Sequence, residues 1–266
     1  MIESFVLKLV TGIAMMWLLM PRKNVTDGFF RIQMLVALGL SVLLVLVVQP
    51  GNPAQNTNSP ASLMTSGMRT QAGNSLIHFA QLSAAVFAFA GHIVWKLGRR
   101  LPGAIAIYAI TILCLLSLTT SSLAGGVNFD SLNLLLSDLA SAAVLGATLT
   151  GMLLGHWYLT TPTMSIGPLS WFTGALAVAA ILRLLMTSFA LFRFGFASHD
   201  LVHLLWLIVR IVGGILVPFA TAVVVARILK FRNTQSATGV LFAALILVFM
   251  GEMTAALLER DLRIPY

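Results

Sequence analysis

Only one cysteine occurs in the 266 residues, Cys114, and it falls inside an apolar run, so an internal disulfide and any Cys-based metal or iron–sulfur motif are excluded. Charge is scarce too. Only 9% of the residues are charged against 59% hydrophobic, and the mean hydropathy of +0.97 is far from that of a chain wrapping an apolar core in a solvated shell. A water-soluble fold is thereby excluded. The first apolar run has neither a basic lead nor a small-residue cleavage site after it, so it reads as a retained first span rather than a signal peptide. No nucleophile motif, zinc signature or phosphate-binding loop is present, nor a Cys-x-x-Cys-His sequence for covalent haem attachment.

What the chain does have is apolar sequence in runs near or above the roughly 20 residues that cross a bilayer. Read against breakers, these predict eight membrane helices near 3–20, 29–48, 75–97, 103–123, 133–158, 168–192, 200–228 and 238–258. The expected fold is an all-α polytopic bundle, a single membrane domain over 1–266 with a Pro/Asn/Ser-rich outer loop at 49–74. Gly213-Gly214 and Pro218 are positioned to kink the seventh helix. Basic residues gather in the first connection (Arg22, Lys23, Arg31), the third (Lys96, Arg99, Arg100) and the seventh (Arg227, Lys230, Arg232). Odd connections are therefore expected on the cytoplasmic side and both termini outside, in the cytoplasmic (inner) membrane of a bacterium. The net charge of +8 lies in these small groups and not along one surface, which argues against a nucleic-acid partner.

The five histidines fall on three of the predicted helices. With odd helices running inward, His78, His199 and His203 share a level near the outer surface, and His92 and His156 share one near the inner surface. His78 and His92 are separated by close to four helical turns, so their imidazoles lie near one face and about 21 Å apart. That layout suits two b-type haems stacked across the membrane, each iron held by two neutral imidazoles: His78 with His203, or with His199 in its place, and His92 with His156. Gly91 and Gly155 each precede an inner-level histidine, where a missing side chain would let a flat macrocycle approach the backbone.

The His-x13-His spacing from His78 to His92, together with the two-level layout, resembles the transmembrane di-haem cytochrome b of quinol-oxidising respiratory complexes. The resemblance implies haem b as cofactor, a quinone or quinol as substrate and partner redox subunits, here on the outer side. It is architectural only. The partner histidines are divided between the fifth and seventh helices instead of repeating the spacing on a second helix.

Among the charged residues inside the predicted helices, four stand out, Asp138, Arg183, Arg210 and Glu252, all in the outer half or near the midplane. A buried arginine requires a carboxylate or propionate partner, so Arg183 and Arg210 are expected to pair with Glu252, Asp138 or a haem propionate. As a functional site the cluster reads as a quinol pocket, with Glu252 taking a proton; as a structural one it locks the last three helices together. The first expectation is a cytochrome b-like subunit moving electrons between a quinone pool and partner subunits. Two alternatives stand beside it: a transporter or proton channel lined by the same His, Glu and Arg side chains, and a cofactor-free scaffold subunit.

Overall fold

The computed structural model describes residues 2–48, 61–161, 164–195 and 200–262, which among themselves contain helices and no strand. In chain order these are α1 (Ile2–Leu19), a 3-10 turn (Arg22–Asn24), α2 (Asp27–Val47), α3 (Ala61–Lys96), α4 (Arg100–Ser122) and α5 (Phe129–Thr160). Then follow α6 (Gly167–Phe194), α7 (Leu201–Ile211), a π-turn (Val212–Leu216), α8 (Val217–Lys230) and α9 (Thr234–Leu262). Among the described residues, eight helical stretches are long and apolar enough to cross a membrane, with α7 and α8 forming one stretch through the π-turn. The chain is an all-α polytopic membrane protein. Large apolar side chains such as Phe79, Val86, Ile105, Ile112 and Ile246 stand exposed while Gln33, Ser41, Gln81 and Thr148 are fully buried, the reverse of a water-soluble surface.

Two boundaries differ from the hydropathy reading. The third helix starts at Ala61, so 61–74 of the expected outer loop is helical, and residues 49–60 lie outside the described residues. Beyond Pro60 come Ala, Leu, Met, Arg and Gln, good helix formers, mixed with Ser, Thr, Asn and Gly that leave the stretch too polar to register as a membrane span. Likewise α9 runs on through Glu259 to Leu262, taking in the start of the expected C-terminal tail; residues 263–266 lie outside the described residues. The interruption at Gly213-Gly214 is a π-turn with a simple cause. Pro218 has no amide to give the carbonyl of Gly214, and the ladder shifts by one residue so that the Val217 amide bonds the Val212 carbonyl.

The chain divides into two compact units, residues 30–135 and the remainder, 1–29 with 136–266. In the smaller unit α3 packs on α4, Gln81 donates to Ser117 across that seam at 2.9 Å, and Trp95 stacks on Phe30 with ring centres 4.6 Å apart. In the larger unit two glycine contacts set the helix spacing. Gly12 of α1 lies directly on the backbone of Ala142 and Gly146 of α5, and Gly213 and Gly214 of the π-turn lie on Leu247 and Gly251 of α9. Small residues at such crossings let backbones approach where lipid supplies no hydrophobic drive between helices.

A Cβ on Gly12 would collide with the Ala142 carbonyl, whereas one on Gly239 meets nothing within 4 Å. Gly12→Ala is expected to destabilise the protein by about 1–3 kcal/mol or more through overpacking. Gly239→Ala should be neutral or better, and thermal unfolding in detergent compares the two.

Candidate functional site

Among the described residues, every charged side chain that is buried belongs to one cluster in the larger unit: Lys8, Asp138, Arg183, Arg210 and Glu252. At its centre is the Glu252 carboxylate on α9, 3% exposed. Arg210 of α7 donates through Nη1 to Oε1 at 2.7 Å, Ser141 of α5 donates to Oε2 at 2.6 Å, and Arg183 Nε of α6 lies 3.4 Å from Oε1. The other side of the Arg183 guanidinium holds α5, Nη1 donating to Ser137 Oγ at 2.5 Å and to the Ser137 carbonyl at 3.1 Å. A single carboxylate thus gathers side chains from three other helices.

A second row lies toward the Glu259 end. Lys8 of α1 pairs with Asp138 at 2.7 Å and stands 3.7 Å from Glu259, whose side chain is 34% exposed. Arg183 is near enough to Lys8 to act on it electrostatically, so the two rows are one network. Glu252 and Glu259 are seven residues apart on α9, two turns of one face and about 10 Å. Three cations face three carboxylates across a row that begins about 15 Å from the Leu262 end of α9 and finishes at a partly exposed side chain. Beside it Ala190, Leu207 and Leu258 form an apolar seal, with Trp206 and Leu262 packed against them.

The glycine contacts place these groups. Gly12 and Ala142, where α1 and α5 touch, each lie one turn from the paired residues Lys8 and Asp138. Gly214 and Gly251, where the π-turn and α9 touch, lie one turn from Arg210 and next to Glu252. Lysine and arginine reach partners here because the backbones behind them are in contact. Arg210 is 0% exposed, yet its Nε and Nη2 find no hydrogen-bond partner among the described residues. Two donors are therefore available to an acceptor oxygen.

All four charged residues expected at the site are brought together, and Lys8, Ser137, Ser141 and Glu259 join them. The reading of charges missed Lys8 because it lies close to a helix end, where a lysine ordinarily reaches back to the interface. The two serines gave no signal, since serine is common in membrane helices for packing alone.

The histidines are divided between the two units. His92 is half-buried, and its Nδ1 lies 3.1 Å from the Arg31 carbonyl. A carbonyl only accepts, so Nδ1 carries the proton and a neutral ring keeps Nε2 bare, the form a metal-ligating imidazole takes. His78 is half-buried with its ring edge-on to Phe79. His156 is exposed, and His203 turns Nε2 toward Asp261 at 3.7 Å. His199 lies outside the described residues. His78 and His92 belong to the smaller unit and His156 and His203 to the larger, so each expected pair draws one member from each. Gly91 and Gly155 both serve helix contacts: a Cβ on Gly91 would stand 3.0 Å from Met34 Sδ, and one on Gly155 2.7 Å from Thr238 Oγ1. Among the described residues no group of three or more His, Cys, Asp or Glu side chains is placed to hold a metal ion.

No protein-family model matches the chain, and no curated protein and no solved structure matches it either. The site therefore has to be read from its own geometry.

Glu252→Gln would leave two buried guanidiniums without their carboxylate, an imbalance expected to cost about 3–5 kcal/mol. In a double-mutant cycle, Lys8→Met and Asp138→Asn should couple by about 1 kcal/mol or more, the double variant being less destabilised than the sum of the singles. Denaturant titration in mixed micelles measures both.

Proposed function

We propose that the chain is the quinone-reactive subunit of a membrane electron-transfer complex, with the Arg183–Arg210–Glu252 cluster as the place where the quinol ring is oxidised. The observation that carries this reading is the one-sidedness of the charged network. It extends from Glu252 to one end of the larger unit, while the buried core toward the other end holds no charged side chain among the described residues: Leu145, Leu154, Leu169, Phe172, Val225 and Leu241 pack there with the uncharged Thr148, Thr150 and Thr173. A transporter or proton channel needs access from both surfaces. A quinol needs only one proton exit: as two electrons leave the ring, two protons leave with them, and both can go to the same side. Glu252, Asp138 and Glu259 are successive stations for that exit.

Two further features support the reading. An apolar groove of about 530 Å³ runs between α1, α5 and α6, lined by Met15, Met16, Ala143, Trp171, Val178 and Leu182 among others. On α6 it extends from Ser170 to Leu182, about 18 Å, and stops at the residue before Arg183. An isoprenoid tail suits the groove, and a ring oxygen suits the unused donors of Arg210. Among the described residues His92, whose Nδ1 is already engaged, is the best-formed ligand for a b-type haem that would hand electrons on to partner subunits. Such a haem would supply a one-electron acceptor. His203 fits that role less well, since its Nε2 faces a carboxylate.

The balance of three cations and three carboxylates also favours a structural lock, and experiment separates the two. Purified protein in nanodiscs is titrated with a short-tailed quinone while tryptophan fluorescence is followed. Quinol oxidation is then measured with a soluble electron acceptor, and haem is counted as its pyridine haemochrome. Saturable quenching that shrinks in Trp171→Phe is expected, together with haem that is lost in His92→Ala. Glu259→Gln, at the partly exposed end and outside the buried centre, should slow turnover at least about tenfold without changing the fold. Protein that binds no quinone and has no haem absorption bands would reduce the cluster to a helix lock.

A further inference from the structure

A second groove of the larger unit lies between α6 and α8, with a volume of about 560 Å³. Small side chains open it, Gly174 and Ala177 on one wall and Ala222 and Ala226 on the other, and Gly174 has no atom within 4 Å of where a Cβ would stand. From Ile166 to Ala177 the α6 wall is about 16 Å long, close to half of the roughly 30 Å hydrocarbon core and so to the depth of one leaflet. One end is basic. Lys230 lines the groove there, and Arg227 and Arg232 stand exposed beside it on the same segment. No acidic residue occupies the first turn of α6, which starts at this end without a side-chain cap, and the last turn of α8 brings Arg227 and Lys230 to the same end.

We propose that this groove seats an anionic phospholipid, one acyl chain lying along the small-residue floor and the phosphate against Lys230. An uncharged amphiphile would fill the groove and leave the basic end uncompensated, so charge complementarity selects the lipid class. A basic pocket between membrane helices at one bilayer surface is the kind of site that takes acidic headgroups. This site is separate from the charged network, and the inference does not rest on the quinone reading. It gives the α6–α8 seam a ligand held from the membrane side.

The test is native mass spectrometry of protein extracted in a mild detergent, with phosphatidylglycerol and phosphatidylcholine of identical chains added in equal amounts. Preferential retention of phosphatidylglycerol is expected. Lys230→Glu should lower that retention about five-fold or more. Ala226→Leu, an exposed position that lines this groove, should lower retention of the lipid while leaving every charge in place. Far-UV circular dichroism confirms that both variants keep their helices. Equal retention of the two lipids, or no effect of Lys230→Glu, overturns the headgroup assignment. Loss in Lys230→Glu with no effect of Ala226→Leu overturns the seating of the chain in the groove.

Discussion

Glu252 is the residue on which the larger unit closes. A lone charged side chain in a membrane helix costs a few kcal/mol on insertion scales, and two arginines near one level cost more because they also repel. Arg183 and Arg210 are tolerated since one carboxylate meets both, with Ser141 satisfying its other oxygen. That requirement sets the register of α5, α6, α7 and α9 together. A shift of any one helix by a residue would turn its polar side chain away from Glu252 and leave a buried charge uncompensated.

Register alone would not bring the charges into reach, and the backbone contacts at Gly12 and at Gly214 do so. They show how packing and electrostatics divide the labour in a medium where apolar burial gives no preference for helix over lipid. The π-turn belongs to this arrangement. By inserting one residue's worth of rotation between Arg210 and Pro218, it presents Gly213 and Gly214 to α9 while Arg210 still faces Glu252. Strain at a π-turn is commonly kept where a site needs it.

The helices were legible because hydropathy reports on the solvent, and the solvent here is lipid for most of the chain. Their ends were less legible where polar helix formers carry α3 and α9 beyond the apolar run. The charged cluster was legible in part: arginine and glutamate inside an apolar helix demand partners, and the partners anticipated for Arg183 and Arg210 include the one found. Lys8, Ser137 and Ser141 were not, since nothing in a local window distinguishes a serine that binds a guanidinium from one that bonds its own helix, as Ser83 and Ser117 do. The histidines show the converse. Spacing along one helix puts His78 and His92 on related faces, but what each ring nitrogen meets, the Arg31 carbonyl at His92 and Asp261 at His203, depends on other helices.

Composition and the period of its apolar runs by themselves determined that this chain lives in a bilayer as a helical bundle, because the cost of unsatisfied backbone in lipid leaves helices as the solution for such runs. Which charges meet, and at which end of the bundle they reach the surface, was decided only by tertiary structure. Ion pairing between residues more than a hundred positions apart, such as Lys8 with Asp138, depends on which helix faces touch, and that is set by contacts such as Gly12 on Ala142 that no single segment encodes.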